Sequence, residues 1–128
     1  MSLKSPLGRV LGLGSAGSGT EHFIGQRVSA IAIVPLGLWF AFSLLTLPSL
    51  DFYSVAAWAA APFRAVLLIL LVVALTYHSS LGTQVVAEDY ISTTGRRAAV
   101  LVVLKLAHVA LAIAGIFAVF LIATSTSL

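Results

Sequence analysis

The stretch FRAVLLILLVVALTYHSSLGTQVVAEDYI, residues 63–91, decides how this chain folds. Residues 63–76 are apolar but for Arg64 and Thr76, with no strand-like alternation and no glycine or proline. A run of that length bounded by Pro62 is a membrane-spanning helix that begins on its proline. Continued at about 100° per residue, the helix puts His78, Gly82, Val85 and Asp89 on one narrow face. Along its axis, His78 and Asp89 are roughly 16 Å apart at about 1.5 Å per residue. The histidine therefore lies inside the hydrocarbon and the aspartate near its edge.

Composition makes the membrane obligatory. The 128 residues are 60% hydrophobic and 9% charged, with a mean hydropathy of +1.12. Too few polar side chains remain to cover a water-exposed surface. The net charge of +3 includes no dense basic run interleaved with aromatics, so nucleic acid is not a partner. The chain has no cysteine, which excludes disulfides, thiolate metal sites and cysteine-bound iron–sulfur clusters.

Toward the amino terminus, a first span is expected over residues 28–47, interrupted by Pro35 and ended by Pro48. Pro35 is expected to kink it toward protein rather than lipid. Before it, residues 1–27 are expected to form a glycine- and serine-rich aqueous tail, with Ser18 or Thr20 capping a short helix through Glu21 and His22. The tail lacks the apolar core of a secretory signal, while a mitochondrial presequence would share its shortage of acids. Between the first two spans, Asp51, Phe52, Tyr53 and Trp58 mark an interfacial helix or turn. Arg64 stands at the entry to the second span, residues 63–87, placed to snorkel toward head groups.

Toward the carboxyl terminus, a polar hinge over residues 91–97 leads into a third span, residues 98–123. The fold expected is all-α and integral to the membrane, with residues 28–128 forming a three-helix domain. Lys4, Arg9, Arg27, Arg96 and Arg97 gather on one side and Arg64 with Asp51 on the other. The positive-inside rule then puts the amino terminus and the Asp89–Tyr90 end in the cytoplasm, or in the matrix if the chain is mitochondrial.

An ionisable group below the interface faces protein, water or a cofactor. His78 can be a neutral axial ligand for haem iron or a histidine hydrogen-bonded to a neighbouring helix. Asp89 and Tyr90 can be an ordinary interfacial helix end or a quinone site, where the Tyr90 hydroxyl donates to a quinone carbonyl and Asp89 positions it. Arg27 can pair with a haem propionate or anchor its helix to phosphates, at the same interface as Tyr90. His22 carries less signal than Arg27. Lys105 and His108 share a face of the third span; a partner subunit, snorkelling, or a second haem ligand at His108 are all open.

The segment SGTEHFIGQRVSAIAIVPLGLWF, residues 18–40, followed by HSSLGTQVVAEDYI, residues 78–91, resembles the hydrophobic membrane anchor subunits of succinate dehydrogenase, the smaller of the enzyme's two anchors, in alphaproteobacterial form. The most specific element is histidine, three residues, glycine, six residues, Asp-Tyr. The His-Arg-Thr-Gly type signature of the other anchor is absent. The resemblance implies a haem-binding heteromeric bundle in which each anchor supplies one axial histidine to a b-type haem. His78 matches the ligand, Asp89 and Tyr90 the ubiquinone-site pair, Arg27 an arginine near the propionates, and His22 approximately a histidine there. It further implies a cytochrome b anchor subunit, an iron–sulfur subunit and a flavoprotein subunit as partners in the bacterial inner membrane. Succinate oxidation itself would occur in those partners, not in this chain. Two other readings are an anchor of a fumarate reductase or related haem b quinone oxidoreductase, and a non-catalytic three-helix assembly or transport protein without a chromophore.

Overall fold

A computed structural model describes residues 16–125. Four helices follow in order: α1 (Ala16–Leu45), α2 (Phe52–Ala59), α3 (Pro62–Tyr90) and α4 (Thr94–Ser125). Three are long and apolar enough to cross a membrane, within Gly19–Leu45, Pro62–Tyr90 and Thr94–Ser125. At about 1.5 Å per residue each of the long helices measures roughly 45 Å, so each outruns a hydrocarbon layer of about 30 Å and must tilt or protrude.

α3 is the central helix. It packs against α1 on one side and α4 on the other, while α1 and α4 make at most marginal contact with each other. The three spans therefore form a layer rather than a closed bundle, with two broad faces. Apolar burial is correspondingly sparse: Trp58, Ala59, Ala65, Leu71 and Ala87 are the buried hydrophobics among the described residues. Large side chains such as Leu38, Phe42, Phe117 and Phe120 point outward, where lipid or partner helices can cover them.

Local chemistry explains the elements. Asp51 caps α2 by accepting from the Ser54 amide at 3.0 Å, and its carboxylate also accepts from the Ser49 and Ser54 hydroxyls. Those bonds, led by that from Ser49, hold the Asp51 carboxyl well below the usual carboxylate range. α2 seats Trp58 between Trp39, stacked at 5.6 Å, and Phe40, tilted at 6.1 Å. Arg64 folds back onto the same residue, donating from Nη1 to the Trp58 carbonyl at 3.1 Å, with its guanidinium 5.7 Å from the ring. Pro62 opens α3 in the position where its missing N–H costs nothing. Within the spans, Thr76, Thr83 and Thr124 return their hydroxyl protons to carbonyls four residues back, at 2.7, 2.9 and 2.9 Å.

One feature departs from the sequence reading. α1 starts at Ala16, so residues 16–27, expected in the aqueous tail, are helical, and neither Ser18 nor Thr20 begins a separate helix. The rest of that tail, residues 1–15, and the last three residues lie outside the described residues. Pro35 lies inside a helix assigned without interruption and is exposed, so no other helix of this chain packs over it.

Candidate functional site

The site begins with the register of α1 against α3. The Ser29 hydroxyl lies 3.0 Å from Nδ1 of His78. A Cβ added to Gly82 would meet Gln26 at 3.9 Å, and one added to Gly25 would fall 2.6 Å from the Tyr77 hydroxyl. These contacts fix an antiparallel pairing in which residues 25–29 face residues 77–82. Glycine at position 25 is what lets Tyr77 and Leu81 approach α1 so closely.

The opposite side of α3 meets α4 in the same manner. The Ser79 hydroxyl lies 3.2 Å from Nε2 of His108, and the other ring nitrogen, Nδ1, is 2.7 Å from the Leu104 carbonyl. A carbonyl only accepts, so Nδ1 of His108 carries the proton and Nε2 accepts from Ser79. Ser29, His78, Ser79 and His108 thus form one polar rung across three helices. It lies about 17 Å from Tyr90 along α3, at 1.5 Å per residue.

The two histidines of this rung differ. Both nitrogens of His108 are committed within the chain. Nε2 of His78 has no hydrogen-bond partner among the described residues and reaches the surface of the chain. Gly82, one turn on, has no side chain, and the place its Cβ would take lies in ordinary contact with Gln26 of α1, at 3.9 Å. A flat macrocycle needs one ligand nitrogen from this chain, and Nε2 of His78 is free to supply it. No group of three or more His, Cys, Asp or Glu side chains converges among the described residues, and axial ligation requires none. His108, left open by the sequence as a second ligand, has its one lone pair, on Nε2, engaged by the Ser79 hydroxyl at 3.2 Å. His108→Leu is therefore expected to leave the haem absorbance of the purified complex unchanged; an altered spectrum would show that the Ser79 pairing gives way.

The remaining candidates spread along α1 and the end of α3. His22 lies two turns before Ser29 on the same side of α1, and its Nε2 is enclosed without a hydrogen-bond partner. Arg27 is exposed, its guanidinium 5.0 Å from the Phe23 ring and turned about 160° around α1 from Ser29. The sequence placed Arg27 at the interface with Tyr90. The helical register sets it beside the level of Gly82, about 12 Å deeper along the axis than Tyr90 and close to the level of His78.

Asp89 and Tyr90 end α3, both exposed, Tyr90 at 86%. The Ile91 amide closes the helix onto Ala87 at 3.1 Å, and three residues later α4 begins with Arg96 and Arg97 in its first turns. Tyr90 therefore presents its hydroxyl at a corner flanked by a carboxylate and a basic pair. Gln84 and Glu88, bonded at 3.0 Å, lie on the preceding turns. Lys105 is exposed and lines a cavity of about 410 Å³ with Gln84, Ser80 and His108. Ser29 and Ser79, the two hydroxyls that hold the histidines, drew no attention in the sequence.

The sequence pattern of the succinate dehydrogenase/fumarate reductase transmembrane subunits matches residues 1–122. The chain is 36% identical over 107 residues to the succinate dehydrogenase hydrophobic membrane anchor subunit of Rickettsia bellii, covering 84% of this chain and 86% of that one. It is 34% identical over 108 residues to the subunit of the same name from Rickettsia conorii, covering 84% and 86%. With that of Paracoccus denitrificans it shares 32% identity over 90 residues, 70% of each chain.

Proposed function

Because the chain belongs to the family of succinate dehydrogenase/fumarate reductase transmembrane subunits, we propose that it anchors a succinate dehydrogenase to the bacterial inner membrane and forms one wall of its haem and ubiquinone sites. The observation that carries this reading is His78, with Nδ1 held by a neighbouring helix and Nε2 open, on the same helix that ends in an exposed Asp89–Tyr90 corner.

In this reading His78 offers Nε2 to the iron of a b-type haem shared with the cytochrome b anchor subunit. His22, on the Ser29 side of α1, and Arg27, on nearly the opposite side, would each have a donor to offer a propionate carboxylate, an enclosed imidazole nitrogen and a guanidinium. The haem, when bound, supplies a one-electron store close to the quinone. Tyr90 holds the ubiquinone head group by donating its hydroxyl proton to a carbonyl oxygen, and Asp89 beside it orients that donor. The position near water matters, because reduction of a quinone takes up two protons. The flavoprotein and iron–sulfur subunits, which oxidise succinate, dock on the cytoplasmic side at this corner, where Arg96 and Arg97 also lie. The family covers both succinate oxidation and fumarate reduction, and the relatives compared are succinate dehydrogenase subunits, so the succinate direction is the one proposed.

Purification through a tag on this chain tests the assignment. The expected result is co-purification of a flavoprotein, an iron–sulfur protein and a second helical anchor, with succinate:ubiquinone activity. Recovery of this chain without a flavoprotein would contradict it and favour a three-helix assembly or transport protein.

A further inference from the structure

We infer that Ser29 is a positioning residue for His78: its hydroxyl oxygen accepts a hydrogen bond from Nδ1–H, fixing the ring and its tautomer so that Nε2 presents a lone pair to haem iron. The inference rests on the reading of His78 as a haem ligand and adds a residue to it.

The direction of the bond follows from what surrounds the hydroxyl. Ser29 Oγ lies 2.8 Å from the Gly25 carbonyl and 3.1 Å from the Gln26 carbonyl. Neither carbonyl can donate, so the single hydroxyl proton is drawn back into α1. Toward His78 Nδ1, at 3.0 Å, the oxygen then has only lone pairs to offer. The proton between them belongs to the imidazole. A neutral imidazole protonated on Nδ1 has its lone pair on Nε2, the nitrogen left open to the surface.

Burial gives the contact its weight. Ser29 is 5% exposed, the one buried polar side chain among the described residues. A serine back-bonded to its own helix is already satisfied in a membrane and needs no second partner. Its placement against the one of the rung's two imidazoles that keeps an open nitrogen goes beyond what α1 requires. Ser79 provides the contrast: there the hydroxyl donates to Nε2 of His108, because Leu104 claims the Nδ1 proton, and that ring is closed to ligation. Two serines of the same rung thus set opposite outcomes for two histidines.

Outer partners of a metal-bound histidine fix ring orientation and raise ligand basicity, and their loss weakens metal affinity by about 10–100-fold. Ser29→Ala should therefore release haem to apomyoglobin at least about tenfold faster than the parent complex. Its haem midpoint potential should rise, because a less basic ligand stabilises the oxidised iron less. Alanine favours the helix more than serine, and dye-coupled succinate oxidation in the same preparation reports assembly. Ser29→Thr and Ser29→Val, equal in shape, isolate the hydroxyl even if the alanine variant assembles poorly: Thr should keep the parent's potential and haem retention and Val should lose them. Unchanged potential and release in Ser29→Ala, or Thr behaving as Val does, overturns the inference while His78 remains a ligand. A parent complex without haem, or one whose spectrum His78→Leu does not change, overturns the ligand reading and the inference with it.

Discussion

Tyr90→Phe is expected to lower electron transfer from succinate to ubiquinone by about 10²-fold, within the range that a positioned proton donor contributes. Succinate oxidation by a soluble dye acceptor, which bypasses the quinone, should be unchanged. The separation follows from where Tyr90 stands: it ends α3 with its side chain 86% exposed, so the ring supports no packing in this chain and removal of the hydroxyl leaves the fold intact. What is lost is the donor to the quinone carbonyl. Parallel measurement of both activities on one preparation distinguishes the cases, and an equal fall in the two at normal subunit content would remove Tyr90 from the quinone site.

The second large effect is structural. A Cβ on Gly115 would fall 2.8 Å from Cγ1 of Val72, closer than real Cβ atoms approach, and in ordinary contact with its Cγ2 at 3.5 Å. Valine is stiff about χ1, so α3 and α4 must move apart to admit even one methyl group. Gly115→Ala is expected to destabilise the helix pair by about 1–3 kcal/mol, the range for overpacking. Val72→Ala in the same chain should restore most of the loss, since the two positions share one contact. Thermal unfolding of the detergent-solubilised complex, followed by its helical signal, measures both variants. Two losses that simply add would show that the helices do not meet here. The contact lies two turns from Ser79, so moving α4 also strains the Ser79–His108 bond that closes the polar rung.

What could be read in advance was set by apolar length and by proline. Residues 63–76 read as a membrane-spanning helix, Pro62 starts it, and Pro48 lies just beyond the end of the helix before it. The short helix α2 was legible from Asp51, Tyr53 and Trp58. The start of α1 was not, because residues 16–27 are rich in glycine and serine and read as loop by propensity. Packing against α3 is seen at the end of that stretch, where Gly25, unfavourable for an isolated helix, is what fits against Tyr77. The level of Arg27 against α3 is not legible either, since it follows from the register of α1 and not from distance to the first apolar run.

The candidate site divides along similar lines. His78 stood out because an imidazole inside a span is costly. Asp89 and Tyr90 stood out as a polar pair ending the same helix. Ser29 gave no signal, because a serine in a membrane helix can satisfy itself by bonding to its own turn, and only the antiparallel register brings it to His78. Likewise nothing in sequence distinguishes Gly115 from any other glycine of a span. Pairwise contacts across helices were the hidden part, and they determine which of the two histidines in the rung keeps an open nitrogen.

The central claim is that His78 carries the iron of a haem in an assembled succinate dehydrogenase. Reduced-minus-oxidised optical spectra of the complex, purified through a tag on this chain from parent and His78→Leu membranes, test it most directly. The expected result is b-type haem absorbance in the parent, altered or lost in His78→Leu, with the flavoprotein and iron–sulfur subunits recovered in both. An unchanged spectrum in the variant, or a parent complex with no haem, would contradict it.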